Sequence, residues 1–130
     1  MSDIFLKIVN GELPSYKVAE NEKFLAFLDI FPIAKGHTLV IPKIKTDYIF
    51  DMNSDDYMQF WEFSKKIAEA MKKVIECQRI GIAVVGLEVP HAHIHLVPLN
   101  TISDINFEKP KLNFSNEKME QIATLIRGQV

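Results

Sequence analysis

The sequence predicts an α+β fold built on an antiparallel sheet. Segments rich in β-formers come in runs, one long amphipathic helical segment separates those runs, and neighbouring β segments are joined by links of hairpin length. Together these features point to five strands, one long helix and a short helix toward each terminus. No internal repeat, low-complexity tract or linker interrupts residues 1–130, so the chain reads as one domain.

Residues 2–10 read as a short helix. Ser2 is a capping residue, Ile4, Phe5, Ile8 and Val9 make an apolar face, and Gly11 is a natural stop. Glu12-Leu13-Pro14-Ser15 reads as a turn. Residues 16–20 and 24–30 form a hairpin around the polar tip Asn21-Glu22. Pro32 and Gly36 bracket a loop, and residues 37–42 (His-Thr-Leu-Val-Ile-Pro) give the third strand. The long helix covers residues 54–78. Asn53 or Ser54 caps it, and Asp55 and Asp56 suit the positive end of its dipole. Tyr57, Phe60, Trp61, Ser64, Ile67, Ala68, Met71, Val74 and Ile75 recur at spacings of three and four, which builds one apolar stripe for the core. Residues 80–85 and 94–98 supply the last two strands. Residues 116–127 form the last helix, capped by Ser115, faced by Met119, Ile122, Ala123 and Ile126, and ended by Gly128.

Composition narrows the function classes. The 130 residues are 48% hydrophobic and 25% charged, with 15 Lys+Arg against 17 Asp+Glu and a net charge of −2. A chain this near neutrality lacks the basic footprint of a nucleic-acid coat or a polybasic membrane anchor. A single cysteine, Cys77, excludes an intramolecular disulfide and any site needing two or more cysteine ligands; it reads as a small packing residue. Met1-Ser2-Asp3-Ile4-Phe5-Leu6-Lys7 has neither a basic start nor a long apolar stretch, and no apolar run approaches the ~20 residues of a membrane span. The expectation is a cytoplasmic protein, in which the sequon Asn113-Phe114-Ser115 is accidental.

The chemistry is concentrated in Val89-Pro90-His91-Ala92-His93-Ile94-His95-Leu96-Val97-Pro98. Three of the four histidines fall in one five-residue window. With this histidine content, a His-x-His-x-His match arises by chance in roughly 4 of 1,000 such chains. On a strand, His91, His93 and His95 project from one face and Ala92, Ile94 and Leu96 from the other. Three readings follow. The imidazoles are solvated or hydrogen-bonded on a polar face; or they share a metal ion, although outer members ~6.6 Å apart along a strand fit one ion poorly; or they work as nucleophile, orienting group and proton donor.

The motif resembles the His-φ-His-φ-His-φ-φ signature (φ apolar) of the histidine triad, or HIT, superfamily of nucleotide-binding proteins. Further blocks of the chain resemble that family in the same order. Asp3-Ile4-Phe5-Leu6-Lys7-Ile8 with Gly11-Glu12-Leu13-Pro14-Ser15 is similar to its opening segment. Phe24-Leu25-Ala26-Phe27-Leu28-Asp29-Ile30-Phe31-Pro32 is similar to its nucleoside-binding segment, and Lys35-Gly36-His37-Thr38-Leu39-Val40-Ile41-Pro42-Lys43 to its next strand. The resemblance spans about residues 3–100. It implies a HIT-like fold and a purine nucleotide hydrolase or nucleotidyl transferase acting at the α-phosphorus, on a phosphoramidate or related conjugate. It implies His93 as the nucleophile that forms a nucleotidyl-histidine. His95 would contact phosphate or the leaving group, and His91 and His37 would orient the nucleophile's far nitrogen. It implies Asp29 on the ribose hydroxyls, a base pocket walled by Phe5, Ile8, Phe27, Leu28 and Ile30, no cofactor, and a symmetric homodimer whose sheets join. A purine nucleotide or nucleoside monophosphate is the expected small-molecule partner.

Two departures stand out. Many bacterial members of the family hold a structural zinc through an N-terminal Cys-x-x-Cys and histidines; the matching positions here are Asp3, Leu6 and Lys45, so no metal is expected. The family's Gly-Gln-Ser/Thr-Val run ahead of the triad reads Gly86-Leu87-Glu88-Val89. Without a Gly-rich phosphate loop, phosphate would rest on imidazoles and backbone N–H groups. The Glu88 carboxylate would repel phosphate, making activity weak or altered, or would pair with a histidine and raise its pKa. The alternatives are a non-catalytic nucleotide-binding module and a metal-binding protein that uses His91, His93 and His95.

Overall fold

The computed structural model describes residues 3–130. Helix α1 is Ile4–Val9, followed by strands β1 (Lys17–Glu20), β2 (Phe24–Leu28) and β3 (Thr38–Pro42). After a 3₁₀ turn at Ile49–Asp51 come helix α2 (Ser54–Val74), strand β4 (Arg79–Ala83) and strand β5 (Ile94–Leu99). A second 3₁₀ turn, Ile102–Ile105, precedes helix α3 (Asn116–Arg127). The five strands form one antiparallel sheet in the order β1-β2-β3-β5-β4. The α+β class and the five-stranded antiparallel sheet are as the sequence predicts.

Helix boundaries follow local chemistry. The side chain of Asn53 accepts the Asp56 N–H at 2.8 Å and caps α2, and Ser115 accepts the Lys118 N–H at 3.1 Å to cap α3. The expected cap of α1, Ser2, lies outside the described residues. Helix α2 ends at Val74, four residues short of the expected end. Ile75 turns extended (φ −104°, ψ 120°) and its side chain is buried. It lies under the Gly36 turn, where a Cβ on that glycine would stand 3.1 Å from the Ile75 side chain.

The sheet separates two apolar layers. Phe24, Ala26 and Leu28 of β2, Val40 of β3, and Ile94 and Leu96 of β5 pack with Phe60, Ile67 and Met71 of α2 and Ile122 and Ile126 of α3. Leu25 and Phe27 of β2 and Leu39 and Ile41 of β3 pack on the other face beneath Phe5, Ile8 and Val9 of α1. Full burial of side chains this size contributes about 1.5–3 kcal/mol each. His95 is the register partner of Leu39 on β3 and of Ala83 on β4. Partners directly opposite share a face, so His95 stands on the α1 side of the sheet.

Candidate active site

The site is assembled where β3, β5 and α1 meet. The turn into β3 closes with a His37 N–H to Ala34 C=O bond at 3.1 Å. It passes through Gly36 at φ +87°, a conformation open to glycine and strained for other residues. His37 follows at once and is 1% exposed. Its backbone carbonyl accepts the Asp29 N–H at 3.0 Å, which ties the carboxylate-bearing end of β2 to the start of β3. The Asp29 side chain folds back to accept the Phe31 N–H at 2.9 Å, and its other oxygen lies 3.6 Å from His37 Nε2.

The triad does not sit on one strand. β5 starts at Ile94, so only His95 lies in the ladder. His91 and His93 occupy a non-strand approach, in which the Ala92 N–H bonds the Thr46 carbonyl at 2.6 Å. The expected alternation survives nonetheless. Ala92, Ile94 and Leu96 enter the α2/α3 core, while the His91 and His93 rings pack edge-on against Phe5 of α1, with centroids 5.6 and 5.1 Å away.

Hydrogen bonds fix the tautomers. The Ile33 N–H donates to His37 Nδ1 at 3.2 Å. His37 Nε2 therefore carries the proton and donates it to His95 Nδ1 at 3.0 Å. The remaining N–H of His95 is then at Nε2. His93 Nδ1 donates to the backbone carbonyl of His91 at 2.7 Å, which leaves His93 Nε2 with a bare lone pair. His91 Nε2 donates to the Pro42 carbonyl at 2.8 Å. The far nitrogen of His93 is thus oriented by the His91 carbonyl, not by the imidazole of His91 or His37 as expected. The two imidazoles act elsewhere: His91 braces the approach against β3, and His37 fixes His95.

Burial dominates the electrostatics. Desolvation pushes His37 down to about 4, helped by the positive charges of Lys111 and His93. It pushes His95 down to about 3, helped by His93 and His37. His91 and His93 are also lowered, first by burial; for His93 the His91 carbonyl, Asp29 and Glu88 act against it. Glu88 is exposed and pairs with no histidine among the described residues. Its field favours a charged His93 without overcoming burial. At neutral pH all four imidazoles are uncharged.

The remaining predicted residues divide. Phe5, Ile8 and Phe27 line one layer with Val89 at its margin, and Ile30 is exposed beside Asp29. Leu28 does not join them. Strand alternation turns it to the opposite face, into the α2/α3 core, so it cannot wall a base pocket with Phe27. Leu87 is 88% exposed. One aromatic escaped the sequence reading. Phe107, in the segment after the second 3₁₀ turn, sets its ring 4.6 Å from that of His95 and 6.1 Å from that of His37. No local pattern marks it, because the contact depends on how the chain returns after β5.

Among the described residues, one trio of possible metal donors converges: Asp29, His37 and His95, with atoms within 4.8 Å of one another. As held, His37 Nε2 presents a proton and not a lone pair; it gives that proton to His95 Nδ1, and the Asp29 carboxylate at 3.6 Å stands outside hydrogen-bond distance. The ring nitrogens of His91, His93 and His95 do not converge as such a set among the described residues. The positions suggested for a structural zinc do not fit one either. Lys45 bridges Asp3 at 2.9 Å, and Leu6 offers no donor atom. The field of that ion pair reaches His91, whose buried Nδ1 has no partner among the described residues.

A fold with a buried histidine constellation on a five-stranded sheet defines a histidine triad protein, and the comparisons agree. The HIT domain family model matches residues 10–102. An uncharacterized HIT-like protein of Borreliella burgdorferi is 38% identical over 131 residues, covering 95% of this chain and 94% of its own. The adenosine 5′-monophosphoramidase HNT1 of Saccharomyces cerevisiae is 36% identical over 96 residues, covering 73% of this chain and 61% of its own. The crystal structure of a Hit-like protein from Bartonella henselae superposes with a TM-score of 0.85 at 32% identity, covering 98% of this chain and 95% of that one. The chain belongs to the HIT family.

Proposed function

We propose that this protein is a nucleotide hydrolase that cleaves purine nucleoside phosphoramidates or related conjugates at the α-phosphorus through a nucleotidyl-His93 intermediate. The observation that carries the reading is the 2.7 Å bond from His93 Nδ1 to the His91 carbonyl, which leaves Nε2 as a lone-pair nucleophile. His93 Nε2 attacks phosphorus, and the P–N bond breaks with its electron pair on nitrogen. That nitrogen takes a proton from solvent and leaves as the amine. The Nε2–H of His95 steadies a phosphoryl oxygen, and the His91 carbonyl steadies the positive ring of the intermediate. Water then attacks phosphorus, the electron pair returns to Nε2, and the nucleoside monophosphate departs. Asp29 accepts from the ribose hydroxyls, and Phe5, Ile8 and Phe27 meet the base. The relatives named as adenosine 5′-monophosphoramidases, from Saccharomyces cerevisiae and, at 37% identity, Schizosaccharomyces pombe, support the substrate class.

A cytoplasmic homodimer, with residues 1–130 as one domain, remains part of this reading. Among the described residues no helix is long and apolar enough to cross a membrane.

The test is hydrolysis of adenosine 5′-phosphoramidate by the parent and by His93→Ala. Turnover should fall by about 10³-fold or more while nucleotide affinity survives. Retained turnover in the variant removes His93 from its role. A second reading, a nucleotide-binding module without turnover, draws on Leu87 and Glu88, which bring no neutral polar group to phosphate; binding without hydrolysis by the parent would favour it.

A further inference from the structure

The site as described has an unbalanced charge. Its four imidazoles are neutral at pH 7, and the nearby side chains that bear on His93, Asp29 and Glu88, are both carboxylates. A phosphate brought to His93 meets the fields of both carboxylates, which a nearby cation would offset. The loop ahead of the triad supplies none.

The segment after β5 does. The 3₁₀ turn Ile102–Ile105 is closed by a reciprocal Thr101/Asp104 capping box. Residues 106–112 then run back across the His37 and His95 end of the site. The Leu112 N–H bonds the Pro32 carbonyl at 2.8 Å, which fastens this strap to the loop that carries Asp29. Phe107 seats its ring against His95 and His37. Lys111 lies on the same strap, and its Nζ donates to the Phe107 carbonyl at 2.6 Å. An ammonium has three N–H donors, so two remain. Of the lysines whose fields reach the histidines, Lys45 is paired with Asp3, whereas Lys111 has no carboxylate partner among the described residues. Its charge acts on both His37 and His95.

Resting on the nucleotide reading above, we infer that Lys111 is the residue that holds the phosphate oxygens at this site, carried into place by the 102–112 strap.

The experiment measures the affinities of AMP and adenosine by calorimetry at low salt, for the parent, Lys111→Met and Lys111→Arg. Lys111→Met keeps the aliphatic stem and removes the charge. It should weaken AMP roughly five- to tenfold, leave adenosine within about twofold, and flatten the salt dependence of AMP binding. Lys111→Arg should keep most of the AMP affinity. AMP binding unchanged in Lys111→Met overturns the proposal. Equal losses for AMP and adenosine also overturn it, since the lysine would then merely hold the strap. A parent protein that does not prefer AMP over adenosine overturns the nucleotide reading itself, and the role of Lys111 falls with it.

Discussion

Acid should unfold this protein through its active site. His37 and His95 are held at about 4 and about 3 by burial, against an ordinary value of 6.5. A folded-state pKa below the unfolded one gives stability that is complete above pH 6.5 and is lost as pH falls toward the folded value. Each pH unit in that window over which only the unfolded imidazole binds a proton costs about 1.4 kcal/mol. Between pH 7.5 and pH 5 the loss is about 2 kcal/mol for each of the two, about 4 kcal/mol together. His91 and His93, also lowered, add in the same direction. The carboxylates whose pKa values are lowered, Asp3, Glu20, Asp56 and Asp104, start from 3.8 or 4.5 and therefore act below this window. Urea unfolding at fixed protein concentration, followed by the fluorescence of Trp61, the only tryptophan, reads the effect. At a slope of about 2 kcal/mol per molar urea the midpoint should fall by roughly 2 M. His37→Asn should remove about half of that pH dependence. A midpoint that moves by less than roughly 0.5 M would show that the imidazoles are not buried and neutral, and the electrostatic account of the site would fail.

Two other outcomes follow from the geometry. Removing the Glu88 field should lower His93 further, so Glu88→Gln and Glu88→Ser should carry the acid limb of kcat/KM to lower pH and raise activity near neutrality, where the carboxylate repels phosphate; profiles that superimpose from about pH 5 to about pH 8 would refute this. Gly36→Ala places a Cβ 3.1 Å from Ile75 in a residue at φ +87°. It should cost about 1–3 kcal/mol in thermal or urea unfolding and weaken nucleotide binding through His37; a neutral substitution would mean that the turn can relax freely.

The elements were readable because their signals are local. Helical spacing on α2 and α3, the capping side chains of Asn53 and Ser115, and the β-formers of β2, β3 and β5 each state their structure within a short window. The end of α2 was not, because Ile75 leaves the helix to pack beneath Gly36, a partner 39 positions earlier in the chain. In the site, residue identities were legible but their partnerships only in part. The His-x-His-x-His spacing foretold a shared face, yet the group that orients His93 is a backbone carbonyl, and no side-chain pattern encodes that. Leu28 falls outside the pocket that the resemblance implies, because strand alternation sets it and Phe27 on opposite faces of β2. Phe107 and Lys111 were invisible because only the tertiary return of the chain, fastened at Pro32, brings them to the histidines.

The central claim is that His93 Nε2 attacks phosphorus. Rapid acid quench of the parent protein with an adenosine 5′-phosphoramidate, followed by peptide mass spectrometry, tests it most directly. The account predicts a transient nucleotidyl adduct on His93, absent from His93→Ala and released as the nucleoside monophosphate when water is given time to react. Turnover with no adduct at any time, or an adduct on His91, His95 or His37, would contradict it.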